Sequence, residues 1–158
     1  MFFQSSEKKY YLSRSDVNHP LSSYSKLGFK LDDCEWISAE HYYQGMKFEE
    51  SDHRDQIRLA EHPEKAKELA KSNKKMIRKD WPKIREVIMT RAIYTKCRNH
   101  EAVTKALLDT GDLQIVETSQ YDYYWGCGRD GRGRNAFGKV LMAVRDKLLE
   151  EIASAKEG

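Results

Sequence analysis

The chain has 158 residues, 39% hydrophobic and 34% charged, with a net charge of +3. Those proportions exclude a disordered chain and suit one helix-rich domain spanning 1–158, large enough to bury a core without staples. No apolar run nears the roughly 18 residues of a membrane span, and Met1-Phe2-Phe3-Gln4 turns polar too soon for a signal peptide, so a cytoplasmic setting with no membrane partner is expected.

Short strands are expected at Lys9–Leu12 and Leu27–Leu31, with a turn at Leu31-Asp32-Asp33. Ser38 suits the N-cap of a helix reaching about Glu49, with Tyr43, Met46 and Phe48 as its apolar positions. Asp52 is placed to cap a second helix to about Glu61, and Pro63 to open a third reaching about Lys71. Asp80-Trp81-Pro82 reads as another start, an N-cap aspartate followed by a first-turn proline. Ile84, Val87, Ile88 and Ala92 then repeat at the helical period. A short helix from about Glu101 to Asp109 stops at Thr110-Gly111. Leu113–Thr118 alternates with a β-branched bias and predicts a strand, and Ala136–Ala155 a long amphipathic helix. The fold class is therefore mainly α, an α+β chain with a minor β element.

One stretch stands apart: YDYYWGCGRDGRGRN at 121–135, with Gly126, Gly128, Gly131 and Gly133 among Arg129, Arg132 and Arg134. Its G-x-G-x-x-G is not a dinucleotide fingerprint. The preceding strand ends too early, and after the final helix there is no room for a second strand carrying an acid. It is also too short and enclosed for a disordered Arg-Gly RNA binder. It can be a plain tight loop. A further reading uses all its residue types: glycine amides and the following helix N-terminus cradling an anion, the arginines gripping phosphate, and Asp122 and Trp125 bordering the site.

A second constellation lies at 36–48, where Glu40, Gln44 and Lys47 fall at spacings of four and three on one helix face. First-turn glutamates are common capping aids, but a polar stripe on so aromatic a helix suggests a lined cleft. Arg78 and Trp81 stand at the start of another helix. Between Lys71 and Arg85 there are seven basic residues and one acid, a solvated face or a field for phosphate. Cys34, Cys97 and Cys127 are too scattered for a disulfide framework or a thiolate zinc site, and the five histidines lack ligand spacing, so neither metal nor cofactor is expected.

Taken together, WISAEHYYQGMKF (36–48), RKDW (78–81) and TGDLQIVETSQYDYYWGCGRDGRGRNAFGKVLM (110–142) resemble the NADAR domain, or YbiA-like family, over roughly residues 8 to 150. One departure is that the family's L-S-N-F is here Leu21-Ser22-Ser23-Tyr24, which removes an amide at 23. The resemblance implies a compact, mainly helical fold and an N-glycosidase. Its substrate would be a phosphorylated ribosyl-base compound of the riboflavin-pathway type, or else ADP-ribosylated guanine in DNA or RNA. A non-catalytic binder of ADP-ribose or NAD is the remaining alternative. Carried over by position, the resemblance implies Glu40 as the catalytic glutamate and Asp122 as its acidic partner. It implies Trp81, Trp125, Gly126, Asn135, Lys47 and Arg78 as ligand-lining positions. Gln44, on the face of Glu40, and Arg132, as a phosphate donor, complete the expected site.

Overall fold

The computed structural model describes residues 8–157, so the reading of Met1–Gln4 lies outside the described residues. Strand β1 (Lys9–Leu12) runs parallel to β4 (Gln114–Glu117), pairing Tyr10 with Ile115 and Leu12 with Glu117. The second sheet is a hairpin of β2 (Phe29–Leu31) and β3 (Cys34–Trp36). Its two turn residues, Asp32 and Asp33, both take positive φ, 53° and 62°. That is the two-residue turn whose twist matches a hairpin, and short Asp side chains tolerate it. The expected turn is there. The strand β3 behind it was not expected, because three residues are too few to show an alternation.

Six helices build the rest: α1 (Ala39–Gly45), α2 (Ser51–Arg58), α3 (Pro63–Ser72), α4 (Trp81–Asn99), α5 (Glu101–Leu108) and α6 (Ala136–Glu157), with a 3₁₀ turn at Lys74–Met76. Ser38 caps α1 as expected, accepting a hydrogen bond from the His41 amide at 3.1 Å. Helix α1 ends sooner than the predicted Glu49. Beyond Gly45 the chain tightens into i→i+3 bonds, Lys47 N–H to Gln44 and Phe48 N–H to Gly45. Gly45 itself is required by packing, since a Cβ there would lie 2.8 Å from the Trp36 ring.

Two predicted caps are corrected. Helix α2 starts at Ser51 behind Glu50 rather than behind Asp52. Asp80 precedes α4, but its carboxylate makes no cap; it accepts Arg78 Nε at 2.6 Å and Nη2 at 3.0 Å instead. A paired guanidinium outcompetes a single backbone amide for the same oxygens.

The main core joins α1, α4, α5, α6 and both sheets, with Trp36, Tyr42, Met89, Ile93, Phe137 and Leu141 among its sealed side chains. Helices α2 and α3 close a smaller cluster around Phe48 and Ile57. Every residue of α1 is buried, so the helix presents no solvent face at all. Among the described residues no helix is long and apolar enough to cross a membrane.

Candidate active site

The first turn of α1 places Glu40 at the centre of the molecule, with no exposed surface. Arg14, from the loop after β1, pairs with its Oε1 at 2.5 Å. Ser23 Oγ donates to the same oxygen at 2.8 Å, and Gln44 Nε2 donates to Oε2 at 2.7 Å. Burial works against the charge, but Arg14, then the Gln44 and Ser23 hydrogen bonds and the nearby Lys47, outweigh it. The carboxyl is held below its ordinary range. A buried, firmly ionised carboxylate is therefore the electrostatic centre of the site. Gln44 is spent on one side only: its Oε1 is buried and has no hydrogen-bond partner among the described residues.

Arg14 also forms the wall of a cleft of about 480 Å³, shared with Tyr24, Lys67, Ser119 and Asp122. Asp122 uses Oδ1 to accept the amides of Tyr124 (2.9 Å) and Trp125 (2.8 Å). Its Oδ2 accepts nothing from the described residues. Glu40 and Asp122 thus lie on either side of one arginine, the first sealed and the second facing the cleft.

Behind them runs a chain of rings. Tyr43 meets Trp81 at 5.1 Å and Trp125 at 5.2 Å, and Trp125 meets Tyr124 at 4.8 Å. Trp125 Nε1 donates to the Tyr43 hydroxyl at 3.2 Å. Cations sit over the faces: Lys47 Nζ is 5.3 Å from the Tyr43 ring, and the Arg14 guanidinium is 5.8 Å from that of Trp125. Burial drives the Lys47 ammonium down to about 8, with Arg14, Lys67 and Arg85 adding to the shift and Glu40 opposing it.

Comparison with known proteins shows the same arrangement of chain. Residues 1–149 match the NADAR domain family. The chain belongs to the NADAR family. It is 33% identical over 141 residues to N-glycosidase YbiA of Escherichia coli (strain K12), covering 89% of this chain and 88% of that protein. An N-glycosidase of Nostoc punctiforme is 38% identical over 130 residues, 80% of this chain and 83% of that one. A chloroplastic riboflavin biosynthesis protein of Zea mays, PYRR, is 36% identical over 157 residues, 90% of this chain but 25% of its own length. The NMR structure of E. coli YbiA overlays with a TM-score of 0.83 at 31% identity, over 93% of this chain and 88% of that chain.

In this NADAR domain the expected site residues divide. Glu40, Gln44, Lys47, Trp81 and Trp125 come together around one carboxylate, with Asp122 across Arg14. Trp81 and Trp125 are nonetheless 7% and 4% exposed, core rings that offer an edge rather than an open stacking face. Arg78 is engaged by Asp80 and, at 3.7 Å, by Glu49. Arg132 projects into solvent with its side chain 86% exposed.

The glycine segment is corrected most. Its amides do not form an open anion cradle. Gly133 N–H bonds Cys127 (2.6 Å), Arg134 N–H bonds Tyr123 (2.8 Å), and Ala136 and Phe137 at the start of α6 bond Tyr124 (2.9 Å) and Trp125 (3.1 Å). The aromatic segment's carbonyls thus cap α6, and that dipole end is already satisfied. Asn135, at φ 53°, accepts Glu117 N–H and donates to the Ile115 carbonyl, both at 2.8 Å, bracing β4 rather than reaching into the cleft. Gly126 is needed because a Cβ would stand 2.6 Å from Glu117 Oε1.

Arg14 was not among the expected site residues, and Ser23 was expected only as a lost amide. The Arg14–Glu40 contact spans 26 residues, and no periodicity connects an irregular loop to a helix. The Ser23 substitution was noticed, yet only the fold shows that its hydroxyl touches the central carboxylate.

Proposed function

We propose that this protein is an N-glycosidase, a hydrolase that cleaves the N-glycosidic bond of a phosphorylated ribosyl-base compound of the ribosylamino-pyrimidine phosphate type. The observation that carries the reading is the ionised Glu40, buried among Arg14, Ser23 and Gln44 beside a cleft that holds a second carboxylate. Names of relatives that mention N-glycosidase and riboflavin biosynthesis support it.

Breaking a ribosyl C–N bond leaves positive charge on C1′ and negative charge on the departing base. Glu40, kept ionised without solvent, offsets the first; the low local dielectric makes its field count for more than in water. Asp122, with Oδ2 free of protein partners, activates the attacking water, the two-carboxylate division known from sugar hydrolysis. The protonated Arg14 offsets the charge that gathers on the base. Gln44 Oε1, which no protein donor reaches, accepts a ribose hydroxyl.

Removal of ADP-ribose from guanine in nucleic acid is the second reading. It is favoured by the exposed Lys71, Lys74, Lys75, Lys79 and Lys83, whose run ends in Arg85 beside the aromatic chain. Base release is measured from a ribosylamino-pyrimidine phosphate and from a single-stranded oligonucleotide bearing ADP-ribosyl guanine. Glu40→Gln should lower turnover of the true substrate on the order of 100-fold or more with the fold intact. Near wild-type turnover in that folded variant rules out this mechanism. Release only from the oligonucleotide, falling steeply with salt, assigns the second function. Tight ADP-ribose binding with no release from either substrate leaves a plain binder.

A further inference from the structure

Arg85 occupies the second turn of α4, four residues after Trp81 and hence on the same face. Its guanidinium carbon lies 3.4 Å from the centre of the Tyr124 ring, a flat stack. Its Nε is sealed from solvent and has no hydrogen-bond partner among the described residues. Tyr124 belongs to the ring chain that reaches Tyr43, where Lys47 sits. Arg85 is close enough to Lys47 to raise the cost of charging its ammonium, and both side chains neighbour Trp81, Lys47 Nζ at 6.0 Å from its ring and Arg85 one turn on along α4.

Neither Arg85, Lys47 nor Lys67 forms an ion pair among the described residues. The carboxylate beside Arg85, Glu86, is turned to the Tyr124 hydroxyl at 3.4 Å. Glu40 is already answered by Arg14. Lys67 on the cleft, and Lys47 and Arg85 along the ring chain behind it, therefore carry positive charge that no carboxylate of the described residues pairs with. The aromatic faces hold these cations in place and leave their charge available to an anionic ligand. Of the arginines expected to grip phosphate, Arg129 and Arg132 are exposed on the outer loop, whereas Arg134, also exposed, lies 5.4 Å from the centre of the same Tyr124 ring.

We propose that Arg85, together with Lys47, is the phosphate-recognising pair of this site, binding the 5′-phosphate or diphosphate of a ribosyl ligand. The stacked guanidinium offers its outer N–H groups as a planar fork, and the flexible ammonium supplies a second point of contact. The assignment rests on the reading of the cleft as a ribosyl site and adds which end of the ligand faces α4.

The test is calorimetric binding of ribose 5-phosphate and of ADP-ribose to the wild type, Arg85→Gln, Arg85→Lys and Arg132→Gln, with KM and kcat measured on the phosphorylated N-glycoside. Arg85→Gln should weaken ribose 5-phosphate about 10- to 100-fold and raise KM with kcat little changed. Arg85→Lys should recover part of the loss, and Arg132→Gln should bind like the wild type. A larger loss for ADP-ribose than for ribose 5-phosphate identifies a diphosphate ligand, an equal loss a single phosphate; both support the pair. Unchanged affinity in folded Arg85→Gln and Arg85→Lys, or a loss that appears in Arg132→Gln instead, overturns it. Binding is read without turnover, so failure of the glycosidase reading and failure of this assignment give different results.

Discussion

Replacing Arg14 by Met removes the cation from Glu40 while filling similar space with apolar atoms. Glu40 has no exposed surface, and Arg14 is 7% exposed, so the lost partner cannot be replaced by bulk water. Ser23 and Gln44 still donate at 2.8 Å and 2.7 Å, which limits the damage. Breaking a buried pair from one side costs roughly 3–5 kcal/mol; with two donors left, about 3 kcal/mol is expected, a fall in Tm of roughly 10 °C for a chain of this size.

The pH dependence gives a sharper signature. In the wild type, Glu40's folded pKa is depressed, so its contribution is present above the ordinary carboxylate value and is lost as pH falls through the folded one. Without Arg14, the burial that opposes ionisation gains weight and the folded pKa moves up. If it passes the unfolded value, stability falls as pH rises between the two, the opposite slope. The double variant Arg14→Met/Glu40→Gln should recover much of the loss at neutral pH, since no buried charge remains. Thermal unfolding of the wild type, Arg14→Met, Glu40→Gln and the double variant from pH 4 to 8 decides it. A loss below about 1 kcal/mol, or a wild-type pH slope in Arg14→Met, refutes the buried pair as the organising interaction.

Because burial places Lys47 near 8, its positive charge is full below that pH and is lost as pH rises through it. Affinity for an anionic substrate should therefore drop above about pH 8, and Lys47→Arg should flatten that limb in a KM-against-pH series. Asn135→Ala removes two hydrogen bonds to β4 and places alanine at φ 53°; a loss of about 2–3 kcal/mol is expected. Asn135→Gly relieves only the backbone share, and denaturant unfolding distinguishes the two variants. Gly126→Ala drives a methyl into Glu117 Oε1 and the Ser119 carbonyl, so a lower Tm is expected, with any effect on KM secondary to it.

Local chemistry made much of the fold legible. Ser38 as a cap, Pro63 at a helix start, the aspartate pair in the hairpin turn and the long apolar stripe of α6 all act within a turn or two of their own position. The Glu40–Gln44 spacing could be read the same way, because i,i+4 neighbours on a helix meet whatever surrounds them. The family motifs brought the right segments together by resemblance. What each residue does there was not legible. Asn135 and Gly126 stood in the motif as ligand-lining positions, and the fold commits both to holding β4 and Glu117.

The sequence by itself determined the helices, the hairpin turn and the family, since each rests on patterns read along the chain without reference to what packs against what. Tertiary structure alone decided that Arg14 and Ser23 hold Glu40 ionised, that the Tyr124 and Trp125 carbonyls cap α6, and that Arg85 stacks on Tyr124 without an ion pair among the described residues. Those outcomes depend on which donor reaches which acceptor after β1 has paired with β4 and α1 has been enclosed. A buried charge or amide takes whatever partner packing brings within about 3 Å, and no pattern along the chain records that choice.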